Sequence, residues 1–522
     1  MSPKTAASEQ RLKPPAGGAT VRMYRTGHGD CFLLAFAGET PDTPVYVLID
    51  CGYKPGSPAF IQTSAKEITA SIREATGGHL DVAVITHEHQ DHVNGITPTN
   101  FKGITIGETW LAWTEDPNDS LANRLRTQFH DKLLGLLAAR TRLAAAGPEE
   151  SKRVETIDRF LAFEVGGDEA DYAPNGPGVM GLMAAEKDPS KSRNKQSMKL
   201  FKDLARDGVR YIRPHEEILG VPGAARVRVF ALGPPRDEDK LEDLDPIGDE
   251  EFHGLALAST SAGNYFAAAA RAPGLHGESP FADRYAVPLA SIQHTELGQH
   301  FALHYGAAGT QPEFDPASGP RGAEEAYDNA EWRRIDKEWL YSAERLALDM
   351  SDYTNNASLV LAFELGKGGK VLLFAADAQR GNWLSWGSKD WKDGADKLST
   401  RDLLARTVLY KVGHHGSHNA TLNGVPASAY PCLGWMGQGD HGREFTAMIT
   451  AVRAWAETQD GWDHPLKAIK DALLKKASGR VFQTDTDVDK MTQPSGASQA
   501  EWKRFMDRVR GHRLYFDYEI RP

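Results

Sequence analysis

Apolar, β-branched runs at residues 21–24, 31–37 and 44–50 are separated by Gly- and Pro-rich punctuation, a pattern that predicts a meandering sheet. Helical spacing follows at 64–75. An apolar run at 80–86 then reads as a buried strand, and 108–113 as the next one. Polar residues that emerge at the carboxyl end of such a strand are how α/β proteins display reactive groups, so the expected class is α/β. From 116 to 217 the period becomes helical, with Leu121, Leu125, Phe129, Leu133, Leu136 and Leu137 at helical spacing, which reads as an insertion. A strand is expected at 227–232. Residues 236–345 are acidic at their start, rich in Gly and Pro and weakly periodic, which predicts loops and short helices. Strands return at 358–363 and 370–375 around the turn Gly366-Lys367-Gly368-Gly369. Helical stretches are expected near 445–457 and 465–476, and strands at 480–483 and 513–520.

At 522 residues the chain exceeds the size at which a single core keeps growing. We expect a loose tail over 1–20, one large domain over 21–424 with insertions at about 114–225 and 236–350, and a C-terminal extension over 425–522 packed on the same domain. Ordinary globular composition and the lack of a run of about 18 apolar residues give no membrane span, so a soluble protein is expected. Cys31, Cys51 and Cys432 are too few and scattered for a disulfide framework, which points to a reducing, cytoplasmic setting. A net charge of -11 gives no global attraction for nucleic acid. Binding of such a partner would need a local patch, and Lys187, Lys191, Arg193, Lys195, Lys199 and Lys202 form the best one.

The sharpest chemistry lies in His87-Glu88-His89-Gln90-Asp91-His92, directly after an apolar strand. One turn there presents three imidazoles and a carboxylate. His87 and His89 are candidates to hold one metal ion, and Asp91 and His92 a second, because alternate residues leaving a strand project in different directions. Mixed nitrogen and oxygen ligation suits zinc or manganese.

With Thr86 in front, this run resembles the His-x-His-x-Asp-His signature of the metallo-β-lactamase superfamily. Other segments resemble that family in the same order. Val47-Leu48-Ile49-Asp50-Cys51-Gly52 resembles an early strand whose aspartate, Asp50, orients a metal-binding histidine from outside. The strand ending before Asp377 resembles the one whose carboxylate bridges both metals. Lys411-Val412-Gly413-His414-His415-Gly416-Ser417 resembles the last histidine motif.

Gly27-His28-Gly29-Asp30-Cys31-Phe32-Leu33-Leu34, Asn355-Asn356-Ala357-Ser358-Leu359-Val360-Leu361 and His414-His415-Gly416-Ser417 occur together, a combination similar to the hydrolase domain of the bacterial competence DNA-uptake channel proteins, without their membrane spans. The likeness covers roughly 21–113, 226–235 and 355–424. It implies an αββα sandwich carrying large, mostly helical and loop insertions. It also implies a hydrolase using two divalent ions, zinc or manganese, as a phosphodiesterase or nuclease on nucleic acid. The family's third metal-binding histidine has no counterpart here, and Asn355 or Asn356 stands near that place as a weak ligand or water-positioning amide. Asp91, Asp377, His414 and His415 are the implied catalytic set. Either His414 or His415 supplies a ligand, leaving its neighbour for substrate. His28, Asp30 and Ser417 fall near the substrate or just outside the metals.

Two further readings stay open. Large insertions can roof a site for a small phosphoester, cyclic nucleotide, lactone or ester. A non-catalytic or toxin-like module with a structural metal is the other, although structural sites close with four tight ligands and need no bridging carboxylate. His130, His215, His253, His276, His294, His300 and His304 read as surface or packed residues. Trp383, Trp386 and Trp391 either line a cleft or simply pack.

Overall fold

A computed structural model describes residues 11–40, 43–57, 64–167, 192–252, 343–388, 390–459 and 464–522. Lys187, Lys191, His253, His276, His294, His300 and His304 lie outside the described residues. The described residues fall in two compact units, one within Met1–Arg126, Asp158–Ser259 and Met350–Pro522, the other within Thr127–Ile157 and Thr260–Asp349. Everything below concerns the first.

Its strands, in chain order, begin with β1 (Ala19–Tyr24), β2 (Phe32–Phe36), β3 (Val45–Ile49), β4 (His79–Val84), β5 (Thr105–Ala112), β6 (Ala205–Ile212), β7 (Leu219–Val221) and β8 (Ala224–Gly233). They continue with β9 (Val360–Leu365), β10 (Val371–Phe374), β11 (Trp391–Asp393), β12 (Asp396–Leu398), β13 (Thr407–Lys411), β14 (Thr446–Ile449), β15 (Val481–Gln483), β16 (Val509–Gly511) and β17 (Tyr515–Ile520). One sheet has the order β16-β17-β1-β2-β3-β4-β5-β6 and the other β15-β14-β13-β10-β9-β8-β7, while β11 and β12 pair separately. The fold is mixed α/β, with two large mixed sheets and helices.

Three apolar cores order these elements. In the first, Phe32, Val47, Val84 and Trp110 of one sheet meet Val229, Phe363, Phe374 and Met448 of the other. A second joins Leu33, Leu48 and Ala83 to Ile68 and Ile72 of helix Ala65–Thr76 and to Phe201 of helix Arg193–Leu204. In the third, Leu373, Tyr410 and Ala447 pack on Trp383 of helix Arg380–Ser385, Leu403 and Leu404 of Thr400–Ala405, and Leu473 of Lys467–Lys476. Strands covered on both faces become continuously apolar, which is why β2 (FLLAF) and β3 (VYVLI) lack alternation. Trp383, Trp386 and Trp391 belong to the third core, so they pack.

Several expectations need correction. The helical reading of 445–457 gives way to β14, whose four residues TAMI are all buried and pair in parallel with β13 and β15, followed only by the short helix Arg453–Ala456. A short, fully buried strand has no period to separate it from a helix. Residues 205–212, read as part of the helical insertion, form edge strand β6 on β5; half-exposed ARDGVRYI shows no clear alternation. Structure begins before residue 21: Leu12 is buried, its N–H donates to the Ala75 carbonyl, and β1 starts at Ala19. The region beyond 425, expected to pack on the same domain, supplies β14–β17 to both sheets, with β15 and β17 where strands are expected, and Asp517 of β17 makes a paired ion contact with Arg22 of β1 at 2.7 and 2.8 Å. No helix among the described residues is long and apolar enough to cross a membrane.

Strand direction gathers the polar residues. β3, β4 and β5 run parallel, as do β10, β13, β14 and β15, so their carboxyl ends share one edge in each sheet. Asp50, the histidine run, Asp377, His414, His415 and Thr450 all follow those ends. β2 and β9 run antiparallel to their neighbours, so the residues before them, His28 and Asp30 in one case and Asn355–Ser358 in the other, come to the same edges.

Candidate metal centre

Three backbone segments stack closely where the histidine run leaves β4. Gly29, at φ +140°, and Gly52 permit this, since a Cβ on Gly29 would meet the Tyr53 Cα at 2.5 Å and one on Gly52 the Asp91 carbonyl at 2.3 Å. The Asp30 N–H donates to Asp91 O, and Cys51 N–H to His92 O. The run itself is thereby bolted to the chain before β2 and after β3.

Each of four histidines then has one ring nitrogen tied back. His92 Nδ1 lies 2.8 Å from Asp50 Oδ2, and that carboxylate also accepts from the Thr86 N–H and hydroxyl at 2.8 and 2.7 Å. His415 Nδ1 donates to the Thr450 carbonyl at 2.8 Å. His87 Nδ1 sits between the hydroxyls of Thr86 (3.1 Å) and Ser358 (3.2 Å). His89 Nε2 meets Glu164 Oε1 at 2.5 Å.

The opposite nitrogens converge in two groups. His87 Nε2 and His89 Nδ1 approach to 3.0 Å. His92 Nε2 lies 3.2 Å from Asp377 Oδ2, and His415 Nε2 lies 2.8 Å from Asp91 Oδ2. One donor atom each from Asp91, His92, Asp377 and His415 fall within 4.8 Å of one another, all four residues buried, a set that could hold a metal ion. Asp91 Oδ1 is buried without a protein partner, as an oxygen awaiting a cation would be. Imidazole donors whose opposite nitrogens are held from outside, together with two carboxylates, fit a divalent ion.

The electrostatics follow from burial and from crowding of carboxylates. Burial opposes charge on His92 and His415, but for His92 the facing Asp377, Asp50 and Asp91, and for His415 the bond to Asp91 with Asp377 nearby, outweigh it and raise both rings above the usual histidine range. Burial pushes Asp91 and Asp377 up, yet His92 above all draws both below the usual carboxylate range, helped at Asp377 by Lys411. Asp50 is raised, because burial exceeds the effect of His92. His87 is lowered by burial and by its neighbours His92 and His89, and His414 is lowered to about 4, chiefly by burial.

Of the paired histidines, His415 joins the cluster. His414, at φ 37°, sits apart with its Nε2 3.4 Å from Asn355 Nδ2, while His414 Nδ1 and Asn355 Oδ1 are buried without a protein partner. Asn356 does not reach the centre: its amide donates to the carbonyls of Lys240 and Leu241 and accepts from the N–H groups of Gln379 and Asn382, stapling loops beneath. Ser417 is also spent locally, its hydroxyl donating to Asn419 Oδ1 within the turn. Asp30 lies one layer out, accepting from the Thr450 hydroxyl at 2.6 Å and pairing with Lys411 at 2.5 Å. His28 packs behind His415 at 4.9 Å between ring centroids, accepting the Val452 N–H at Nδ1.

Four participants escaped the sequence reading. Lys411 is fully buried and spans Asp30, the Ala376 carbonyl and Asp377 Oδ1, the last at 3.2 Å; its signal was a lysine closing an otherwise apolar strand. Thr450 follows β14, which was itself misread. His464, stacked on His28 at 5.8 Å and tilted against His414 at 5.4 Å between ring centroids, lies far along the chain without a motif. Glu164 sits on helix Ser151–Val165, where one more glutamate on an amphipathic helix carries no signal. No known family model matches the chain, and no curated protein matches it.

Proposed function

We propose that this chain is a metal-dependent hydrolase of the metallo-β-lactamase type that uses two divalent ions, zinc or manganese, and acts on phosphodiesters. The observation that carries this reading is the set of four histidines with one nitrogen tied back and the other turned inward, in two groups. His87 and His89 would hold one ion, and Asp91, His92, Asp377 and His415 the other. The order of the three cores, helices outside two facing sheets, supports an αββα sandwich.

Bound there, such ions supply Lewis acidity, lowering the pKa of water towards 7 and offsetting negative charge as it develops. The chain's own residues do the rest. Lys411 engages Asp377 Oδ1 and so leaves Oδ2 as its ligand atom. Asp50, the Thr450 carbonyl, Ser358 and Glu164 keep the rings from turning, which lowers the cost of organising the site at each turnover. His414 Nδ1 can donate a hydrogen bond to a substrate oxygen, and Asn355 Oδ1 can accept one from a water or substrate hydroxyl. A purely structural site fits less well, because buried polar atoms beyond the four donors, His414 Nδ1 and Asn355 Oδ1, have no hydrogen-bond partner in the protein.

Among phosphodiesters, one observation favours a small substrate over a polymer. Lys195, Lys199 and Lys202 of the basic stretch each face an acid, Glu88, Asp203 and Glu115 respectively, which spends charge that nucleic acid would need. The test is hydrolysis by the purified full chain, loaded with manganese or zinc, of single- and double-stranded DNA, RNA, a cyclic nucleotide and a chromogenic phosphodiester. Metal-dependent turnover of at least one supports the reading. Failure to bind either metal, or inertness toward all five when loaded, refutes it.

A further inference from the structure

His92, His415 and His87 are tied back by residues at the ends of the sheet strands, but His89 is held by a different part of the chain. Its Nε2 lies 2.5 Å from Glu164 Oε1, with both side chains almost completely out of solvent. The second oxygen of Glu164 accepts from the Thr354 hydroxyl at 3.2 Å, and the Glu164 carbonyl accepts from Asn194 Nδ2 at 3.1 Å. Phe163 packs on the His89 ring at 4.4 Å between centroids. The carboxylate is therefore fixed at both oxygens and at its backbone, and the ring it faces is clamped. A carboxylate buried to this degree is costly unless its hydrogen bonds are well satisfied.

Direction matters most. A carboxylate only accepts, so it requires the proton on Nε2 and leaves the lone pair on Nδ1. Nδ1 is the atom that approaches His87 Nε2 to 3.0 Å, a separation suited to two nitrogens sharing one ion at about 2.0–2.1 Å from each.

We infer that Glu164, from helix Ser151–Val165, is the positioning residue for His89 and thereby for the first of the two metal positions. The inference rests on the two-metal reading and deepens it. That position is the one with no third histidine, so the two nitrogens it has gain from being pre-aimed, and a carboxylate behind an imidazole also makes it a stronger donor. Phe163 and Glu164, at the end of that helix, are thus part of the proposed metal centre rather than a cover over it.

The experiment measures metal stoichiometry and affinity, not turnover. Metal-depleted full chain, wild type and Glu164→Gln, is titrated with zinc and with manganese against a competing chelator. The amide keeps the size of the side chain but no longer dictates the proton on Nε2. We expect wild type to bind two equivalents and Glu164→Gln to bind one as wild type does and the other about 10- to 100-fold more weakly. Two equivalents bound with wild-type affinity, or equal weakening of both, would overturn the inference, the latter because it is what a general packing role produces. Should Glu164→Gln fail to fold, Thr354→Val, which frees one carboxylate oxygen, is titrated instead, with selective loss at one equivalent or its absence deciding as before. Wild type that binds no metal overturns the two-metal reading itself, a result distinct from any obtained with the variants.

Discussion

Replacing Gly52 with alanine tests whether the centre depends on the close stacking of its backbone segments. An added Cβ would lie 2.3 Å from the carbonyl carbon and oxygen of Asp91 and 2.4 Å from the His92 nitrogen. All three atoms are main chain, so no side chain can swing away. Ordinary Cβ contacts begin near 3.4 Å, which makes the required displacement about 1 Å. The φ of Gly52 is not in the left-handed region, so alanine carries no dihedral penalty and the whole effect comes from displacement. Overpacking of this kind costs about 1–3 kcal/mol of stability. Misplacing reacting groups by about 1 Å costs on the order of 100-fold in rate. The assay is zinc and manganese stoichiometry alongside phosphodiester turnover at saturating metal, with thermal melting to establish that the variant is folded. A folded Gly52→Ala protein with wild-type affinity for both equivalents and wild-type turnover would refute the stacking argument.

Asp377→Asn keeps shape while removing the charge that faces His92 and Lys411, and should lower turnover by more than the roughly 100-fold that loss of an outer partner costs, with an unchanged circular dichroism spectrum. Wild-type turnover at matched metal loading would remove Asp377 from the ligand set. Asp517→Ala strands Arg22 between β1 and β17 and should cost about 3–5 kcal/mol in urea denaturation, with a loss under about 1 kcal/mol showing that the pair is solvated. Neutralising Lys195, Lys199 and Lys202 together should leave DNA affinity and its salt dependence little changed, because each already faces an acid. A steep, sequence-independent loss of binding would instead restore the basic stretch as a nucleic-acid contact.

Residues at strand ends were legible in the sequence. Asp50, His87, His89, Asp91, His92, Asp377 and His415 each follow an apolar run, and the fold needs only parallel neighbours to bring those ends to one edge. Partners defined by tertiary packing were not. Glu164 reaches His89 across 75 positions, Thr450 reaches Asp30 across 420, and no local pattern marks either. Strand β14 was lost for a different reason, since four buried residues carry no period. Asn356 and Ser417 show the converse error: residues inside a recognisable motif whose polar atoms are consumed by neighbouring loops.

The buried charge bears on why a centre of this kind would take up cations. Asp30, Asp50, Asp91, Glu164 and Asp377 are all buried around the four histidines. Lys411 supplies a positive charge within the cluster, shared between Asp30 and Asp377. Carboxylates so far from water are expensive unless compensated, and Lys411 with the raised His92 and His415 supplies only part of that compensation. Two divalent ions together with Lys411 would bring positive and negative charge level. The donor atoms stand where this requires, His87 and His89 in one group and Asp91, His92, Asp377 and His415 in the other. On the two-ion reading proposed above, the charge of the ions offsets the buried carboxylates and the two groups of nitrogens divide the donors between them.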